Sequence, residues 1–118
     1  MDIESGVTAL SALAQPTRLE VFRLLMRHEP DGLMAGEIAR RLGVPHNTMS
    51  THLAIMVRAG LISMERHSRS MIYRVELRAV HELVLFLLRD CCDGKPELCG
   101  PLVQDISSCC STDGASCA

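Results

Sequence analysis

The sequence predicts a mainly α-helical fold with one β-hairpin and a cysteine-rich tail. Apolar residues recur at helical spacing along most of residues 7–89, whereas residues 61–77 alternate at strand spacing. All six cysteines follow residue 90. A chain of 118 residues can bury one modest core and is too short for a second catalytic domain. We therefore expect one folded domain over residues 1–92 and a partly disordered tail over residues 93–118.

Two helices are predicted in the amino-terminal quarter. Residues 7–14 are compatible with a helix. Residues 15–28 predict a second one, because Pro16 suits a first helical turn and "EPDG" at residues 29–32 ends the apolar pattern. The side chains expected on its buried face are those of Leu19, Phe22, Leu25 and Met26.

The next two helices form a helix-turn-helix candidate, joined by "GVP" at residues 43–45. In "MAGEIARRLG" Ile38 and Leu42 lie four residues apart, and Gly43 marks the end of the helix. In "VPHNTMSTHLAIMVRAG" Pro45 lies near the start. The core residues predicted for this fourth helix are Met49, Leu53 and Met56.

A hairpin and a last helix complete the predicted domain. Ile62 and Met64 alternate before a polar, basic turn, and Met71, Tyr73 and Val75 alternate after it. From residue 78 the segment "RAVHELVLFLLRD" is apolar on most sides, more than one small domain can cover. We therefore expect a partner subunit to bury the remainder.

Charge is distributed unevenly along the chain. The net charge is −2, but residues 33–74 carry six arginines against two glutamates, while residues from 90 onward carry five carboxylates against one lysine. Because salt screens charges over about 8 Å, a basic face can act despite an acidic tail.

Cellular location guides the interpretation of the cysteines. The amino end lacks a signal-peptide pattern, and the longest apolar run, "LVLFLL", is too short to span a bilayer, so we expect a cytoplasmic protein without membrane contact. Thiols remain reduced in that compartment. Six cysteines then indicate metal, metalloid or redox chemistry rather than a disulfide framework.

The order helix-turn-helix then basic hairpin is that of a winged helix-turn-helix, and the chain resembles the ArsR/SmtB family of metal-responsive repressors. The resemblance covers roughly residues 9–88 and depends on "LAQPTRLEVFRLL", "GEIARRLGV", "MSTHLAIMVRAGLI" and "RHSRSMIYRV". It implies a repressor rather than an enzyme, a homodimer formed through the first and last helices, and double-stranded operator DNA with an inverted repeat as the partner. The chain departs from the family pattern at Ser68, where a wing glycine is common, and at Met34, where a polar cap is expected.

Polar side chains at the start of the fourth helix are the candidates for reading DNA. Asn47 suits adenine, Thr48 or Thr51 suits the methyl of thymine, and Ser50 suits a phosphate. Basic wing residues would add salt-dependent affinity rather than sequence choice. The full candidate set is His46, Asn47, Thr48, Ser50, Thr51 and His52 in the helix, with Arg66, His67 and Arg69 in the wing.

The candidate sensor is the thiol set Cys91, Cys92 and Cys99, whose spacing a second candidate set repeats at Cys109, Cys110 and Cys117. Soft thiolates select soft ions, and three of them without a fourth ligand make a poor structural zinc site. The resemblance implies trivalent arsenic held by three thiolates, with antimony(III) or methylarsenite as further candidates and no organic cofactor. The thiol sensor site that some relatives carry on the third helix is absent, and the Asp/His/Glu zinc site of others is incomplete around His81.

Three other functions are considered for the cysteines. A thiol redox enzyme or arsenate reductase lacks support, because the sequence has no C-x-x-C and no Gly-rich phosphate loop. A redox-sensing repressor is a stronger alternative, since Cys91 and Cys99 are able to form a reversible disulfide. A zinc- or copper-binding tail on a constitutive DNA-binding protein is the third.

Overall fold

The structure is a computed structural model that describes residues 1–89, 100–102 and 104–106. Its elements are α1 (Ile3–Leu13), α2 (Pro16–Arg27), β1 (Leu33–Met34), α3 (Ala35–Leu42), α4 (His46–Arg58), β2 (Ile62–His67), β3 (Ser70–Val75) and α5 (Leu77–Leu88). The predicted fold class is confirmed, since mainly helical elements surround one small antiparallel sheet in the order of a winged helix-turn-helix. No helix among the described residues is long and apolar enough to cross a membrane.

The chain divides into two compact units, Met1–Leu83 and Val84–Ala118. The first contains α1 to β3 and the first half of α5. In the second, α5 continues to Leu88, and residues 100–102 and 104–106 are helical. The predicted domain boundary between residues 92 and 93 lies outside the described residues.

Local capping explains where the first two helices begin. The Asp2 carboxylate accepts a hydrogen bond from the Ser5 amide at 2.8 Å, which lowers the pKa of Asp2. The Gln15 side chain likewise accepts from the Arg18 amide at 2.9 Å, one residue before Pro16 starts α2. These carbonyl and carboxylate oxygens satisfy amides that have no partner inside the helix. Helix α1 begins four residues earlier than predicted, at Ile3, because Asp2 caps it.

The helix-turn-helix has the predicted bounds, and its core residues are buried as predicted. Met49, Leu53 and Met56 of α4 have no exposed surface, and they pack with Ile38 of α3. Gly43 ends α3 in the left-handed conformation at φ 65°, as its position in the sequence predicts.

The predicted buried face of α2 is wrong in part. Leu25 is buried as predicted, but Leu19 and Met26 are exposed. Val21 and Leu24 enter the core instead. Phe22 is half-buried against that core. Apolar residues cover two neighbouring stripes of this helix, and helical periodicity does not decide which stripe meets α3 and α4.

Three antiparallel strands form the sheet in the order β1-β3-β2. Strand β2 pairs with β3 from Ile62↔Val75 to His67↔Ser70, which leaves a two-residue turn. Ser68 adopts φ 58° in that turn, the left-handed conformation that a glycine adopts with less strain. Strand β1 was not predicted, because two residues are too few to show a period.

Helix α1 places small residues inside and large ones outside. Gly6, Ala9 and Ala12 face the core, and Ile3, Val7 and Leu10 are exposed at 70%, 55% and 39%. In the second unit Val84, Leu85 and Leu87 of α5 are also exposed. Apolar side chains on the outer face of a helix indicate a surface that another chain covers.

Candidate nucleic-acid interface

The outer face of α4 carries most of the predicted DNA-reading side chains. Those of His46, Asn47, Thr48, Ser50 and Thr51 are all exposed. They project from the first two turns because Met49, Leu53 and Met56 hold the opposite face in the core. The Thr51 hydroxyl donates to the Asn47 carbonyl at 3.3 Å, one turn back along the helix.

The amino terminus of α4 is open. Pro45 occupies the cap position, and no side chain makes a capping hydrogen bond there. The first amides of α4 therefore point outward without a side-chain acceptor, next to Asn47 and Thr48. Together with the helix dipole they form a site suited to a phosphate oxygen.

His52 is placed differently from the other candidates on α4. It is half-buried, and its Nδ1 lies 3.3 Å from Nη1 of Arg18 on α2. A guanidinium only donates hydrogen bonds, so the ring nitrogen accepts this one. In the structure His52 therefore contacts Arg18, a residue that the sequence analysis did not include among the DNA-binding candidates.

The wing candidates lie around the β2–β3 turn. Arg66, His67 and Arg69 are exposed. Nε of Arg66 donates to the Ser68 carbonyl at 3.4 Å, and Nε2 of His67 lies 3.2 Å from the Glu65 carboxylate. Arg69 occupies the second position of the two-residue turn, at the tip of the hairpin. The wing therefore presents basic side chains at its end, as predicted from the sequence.

Several arginines counted in the basic segment are paired within the protein. Arg74 lies 3.4 Å from Glu29 and 3.6 Å from Glu65, at the base of the wing. On α3, Glu37 accepts hydrogen bonds from both Arg40 and Arg41, which lower the pKa of Glu37 and raise that of Arg40. The count of residues 33–74 already includes Glu37 and Glu65, so Glu29 is the carboxylate that lowers the basic balance further.

The predicted thiol ligands follow α5 in the sequence. Cys91, Cys92, Cys99, Cys109, Cys110 and Cys117 all lie outside the described residues. Within residues 1–89, 100–102 and 104–106, no three His, Cys, Asp or Glu side chains come together as a metal site. His81 on α5 is exposed.

Comparison with known proteins agrees with this geometry. A family model described as a helix-turn-helix domain matches residues 13–65. The transcriptional regulator YgaV of Escherichia coli is 32% identical over 84 residues, which covers 71% of this chain and 83% of YgaV. The chain belongs to the same family of helix-turn-helix transcriptional regulators as YgaV.

Two solved structures are similar to this helix-turn-helix regulator. The transcriptional activator HlyU of Vibrio cholerae is 29% identical over 87 residues, which covers 74% of this chain and 78% of HlyU. Its structure matches with a TM-score of 0.58 over 75% of this chain and 98% of HlyU, and a reduced form matches with a TM-score of 0.56. An ArsR-like regulator from Rhodococcus sp. RHA1 shares the fold, with a TM-score of 0.69, 23% identity and coverage of 88% and 93%.

In a helix-turn-helix regulator the second helix of the motif is the recognition helix, which is α4 in this chain. The β2–β3 hairpin that follows it is the wing. The relatives YgaV and HlyU are both transcriptional regulators.

Proposed function

We propose that this regulator is a homodimeric repressor, which binds operator DNA through α4 and the wing and releases it when trivalent arsenic binds its cysteine thiolates. The observation that carries the DNA-binding part is the exposed polar face of α4, with its uncapped amino terminus, beside a wing that ends in Arg66, His67 and Arg69. The inducer part depends on the cysteine pattern of the sequence.

Each exposed group of α4 suits a different part of the DNA. Asn47 is able to make two hydrogen bonds to adenine, and the methyl groups of Thr48 and Thr51 suit the methyl of thymine. A phosphate at the open amino terminus, assisted by Ser50, would fix the register of the helix in the major groove. The wing arginines add attraction to phosphates, which weakens as salt rises.

A dimer accounts for the outer face of α1. Its exposed stripe of Ile3, Val7 and Leu10 lies opposite the buried seam of Gly6, Ala9 and Ala12. A second copy covering this stripe would remove apolar surface from water, at about 25 cal/mol for each Å². Two recognition helices related by a twofold axis would then meet half-sites about 34–36 Å apart, which predicts an inverted repeat in the operator.

Thiolate chemistry favours arsenic(III) as the inducer. Arsenous acid exchanges its three hydroxyl groups for three sulfur ligands, with the release of three waters as three thiols give up their protons. Cys91, Cys92 and Cys99 supply that number, and antimony(III) would bind by the same exchange. Methylarsenite has two hydroxyl groups to exchange and would bind two thiolates, with the release of two waters. A second set at Cys109, Cys110 and Cys117 has the same spacing.

Fluorescence anisotropy on a labelled operator tests this proposal. The operator is first selected from random duplexes by the purified protein. Arsenite should then lower the affinity of the unaltered chain for this operator. Allosteric coupling typically changes an affinity roughly 5- to 150-fold, and we expect a decrease in the upper part of that range or beyond it. Variants Cys91→Ser and Cys99→Ser should bind the operator with unchanged affinity and ignore arsenite, and continued release from both would exclude this site.

A thiol redox sensor of the same fold is the second candidate. It is supported by the eight-residue separation of Cys91 and Cys99 and by the likeness to HlyU, which has been solved in a reduced form. The same assay separates the two, because release by peroxide that a reductant reverses, without a response to arsenite, would select the redox sensor. Zinc in a parallel titration tests a metal-binding tail.

A further inference from the structure

Arg18 joins three helices through one side chain. Its backbone amide is held by Gln15 at the start of α2. Its Nε donates to the Ala12 carbonyl near the end of α1 at 2.6 Å, and its Nη1 donates to Nδ1 of His52 on α4 at 3.3 Å. The guanidinium is planar and presents its donors in a rigid fork, so the two contacts fix each other in space.

The contact with α1 uses a carbonyl in the last turn of that helix. Such carbonyls have no partner within the helix, and a positive charge near them is favoured by the helix dipole. The contact between α1 and α4 has an open edge beside this hydrogen bond. An open groove of about 350 Å³ lies between them, bordered on the α4 side by Ile55, Arg58 and Ala59. The hydrogen bonds of Arg18 therefore act together with the core packing of Ala12 in fixing α4 relative to α1 at this end.

His52 connects this arrangement to the DNA-reading face. It lies one turn after Thr48 on the same side of α4, and it follows Thr51 directly. A change in where His52 is held would rotate these side chains relative to the groove of the DNA. Since a displacement of about 1 Å is enough to disturb paired hydrogen bonds, base recognition would weaken before phosphate contacts do.

We infer that Arg18 is a positioning residue, which sets the orientation of the recognition helix by holding His52, and that His52 serves this purpose instead of reading a base. The inference rests on the operator-binding part of the proposed function and is independent of the inducer. Helix α1 also has the proposed dimer face. A change in subunit packing that moves α1 would therefore be transmitted to α4 through the Arg18 side chain.

Four variants test the inference by anisotropy on the selected operator and on an unrelated duplex. Arg18→Lys keeps the charge but has one donor group, which cannot reach both acceptors, and His52→Ala removes the acceptor on α4. Each should weaken operator binding about 5- to 20-fold, within the range of typical couplings, and change binding to the unrelated duplex less than about twofold. His52→Asn places an amide oxygen near the position of Nδ1 and should restore operator binding to within about twofold of the unaltered chain.

The double variant Arg18→Lys with His52→Ala decides between positioning and base reading. Positioning predicts that the double variant binds no more weakly than the weaker single variant, because both changes remove the same link. The inference would be overturned if the losses of operator affinity in the two single variants add in the double variant. It would also be overturned if His52→Asn binds the operator as weakly as His52→Ala. If Arg18→Lys fails to fold by circular dichroism, the two His52 variants alone decide. If the unaltered chain binds the operator and no variant binds it more weakly, the inference about Arg18 is overturned and the proposed function stands. If the unaltered chain does not prefer the operator to the unrelated duplex, the proposed function is overturned as well.

Discussion

Replacing Gly32 by alanine should destabilise the protein more than the same change at Gly36, Gly43 or Gly60. Gly32 adopts φ +75° in the turn between α2 and β1. An added Cβ would lie 2.5 Å from the Tyr73 carbonyl oxygen, 2.5 Å from Cγ of Arg74 and 2.8 Å from Cγ2 of Ile72. The Tyr73 oxygen belongs to the backbone of β3, so this contact cannot be relieved by a rotamer change.

Two costs add at this position. A left-handed conformation costs a residue with a Cβ about 1–2 kcal/mol, and overpacking costs about 1–3 kcal/mol more. We expect Gly32→Ala to lower the free energy of unfolding by about 2–5 kcal/mol, a large part of the roughly 5–15 kcal/mol of a typical domain.

Matched glycines separate the two costs. Gly43 has φ +65° with nothing within 4 Å of an added Cβ, so Gly43→Ala should show only the conformational cost of about 1–2 kcal/mol. Gly36 lies inside α3 in open space, and Gly36→Ala should stabilise the protein by up to about 1 kcal/mol. Urea unfolding measures all three variants. Equal losses for Gly32→Ala and Gly43→Ala would show that the contact with β3 has no energetic weight.

Three further predictions concern charge and association. Glu37→Gln should release Arg40 and Arg41 and raise the affinity for unrelated DNA, with a steeper salt dependence in anisotropy titrations. Because folding lowers the pKa of Glu37, its carboxylate stabilises the protein above its usual pKa of 4.5 and loses this effect as the pH falls through the lower, folded value. Glu37→Gln should therefore flatten the acid limb of a stability profile, and an unchanged limb would contradict the ion pair. Arg69→Ala should weaken binding to all sequences alike and reduce the salt slope by about one, whereas a loss confined to the operator would argue against a phosphate contact. Val7→Glu should convert the proposed dimer to a monomer in sedimentation experiments, because it places a charge in the exposed stripe of α1; a dimer that persists would place the interface elsewhere.

The helix-turn-helix was predictable because its signals are local. Gly43 ends one helix, Pro45 precedes the next, and the spacing of Met49, Leu53 and Met56 defines the inner face of α4. Once that inner face is known, the exposed position of Asn47 and Thr48 follows from helix geometry. The buried face of α2 was predicted only in part, since two apolar stripes satisfy the same periodicity and the neighbours of the helix choose between them.

The sequence by itself determined the order and type of the main elements, the turn of the helix-turn-helix, the basic wing tip and the clustering of the cysteines after residue 90. The tertiary structure alone decided which polar and charged side chains are paired within the protein. His52 reaches Arg18 across 34 residues, and Arg74 reaches Glu29 across 45. Caps and periodicity act within one or two turns of chain, whereas the partner of a charged side chain depends on segments that only folding brings together.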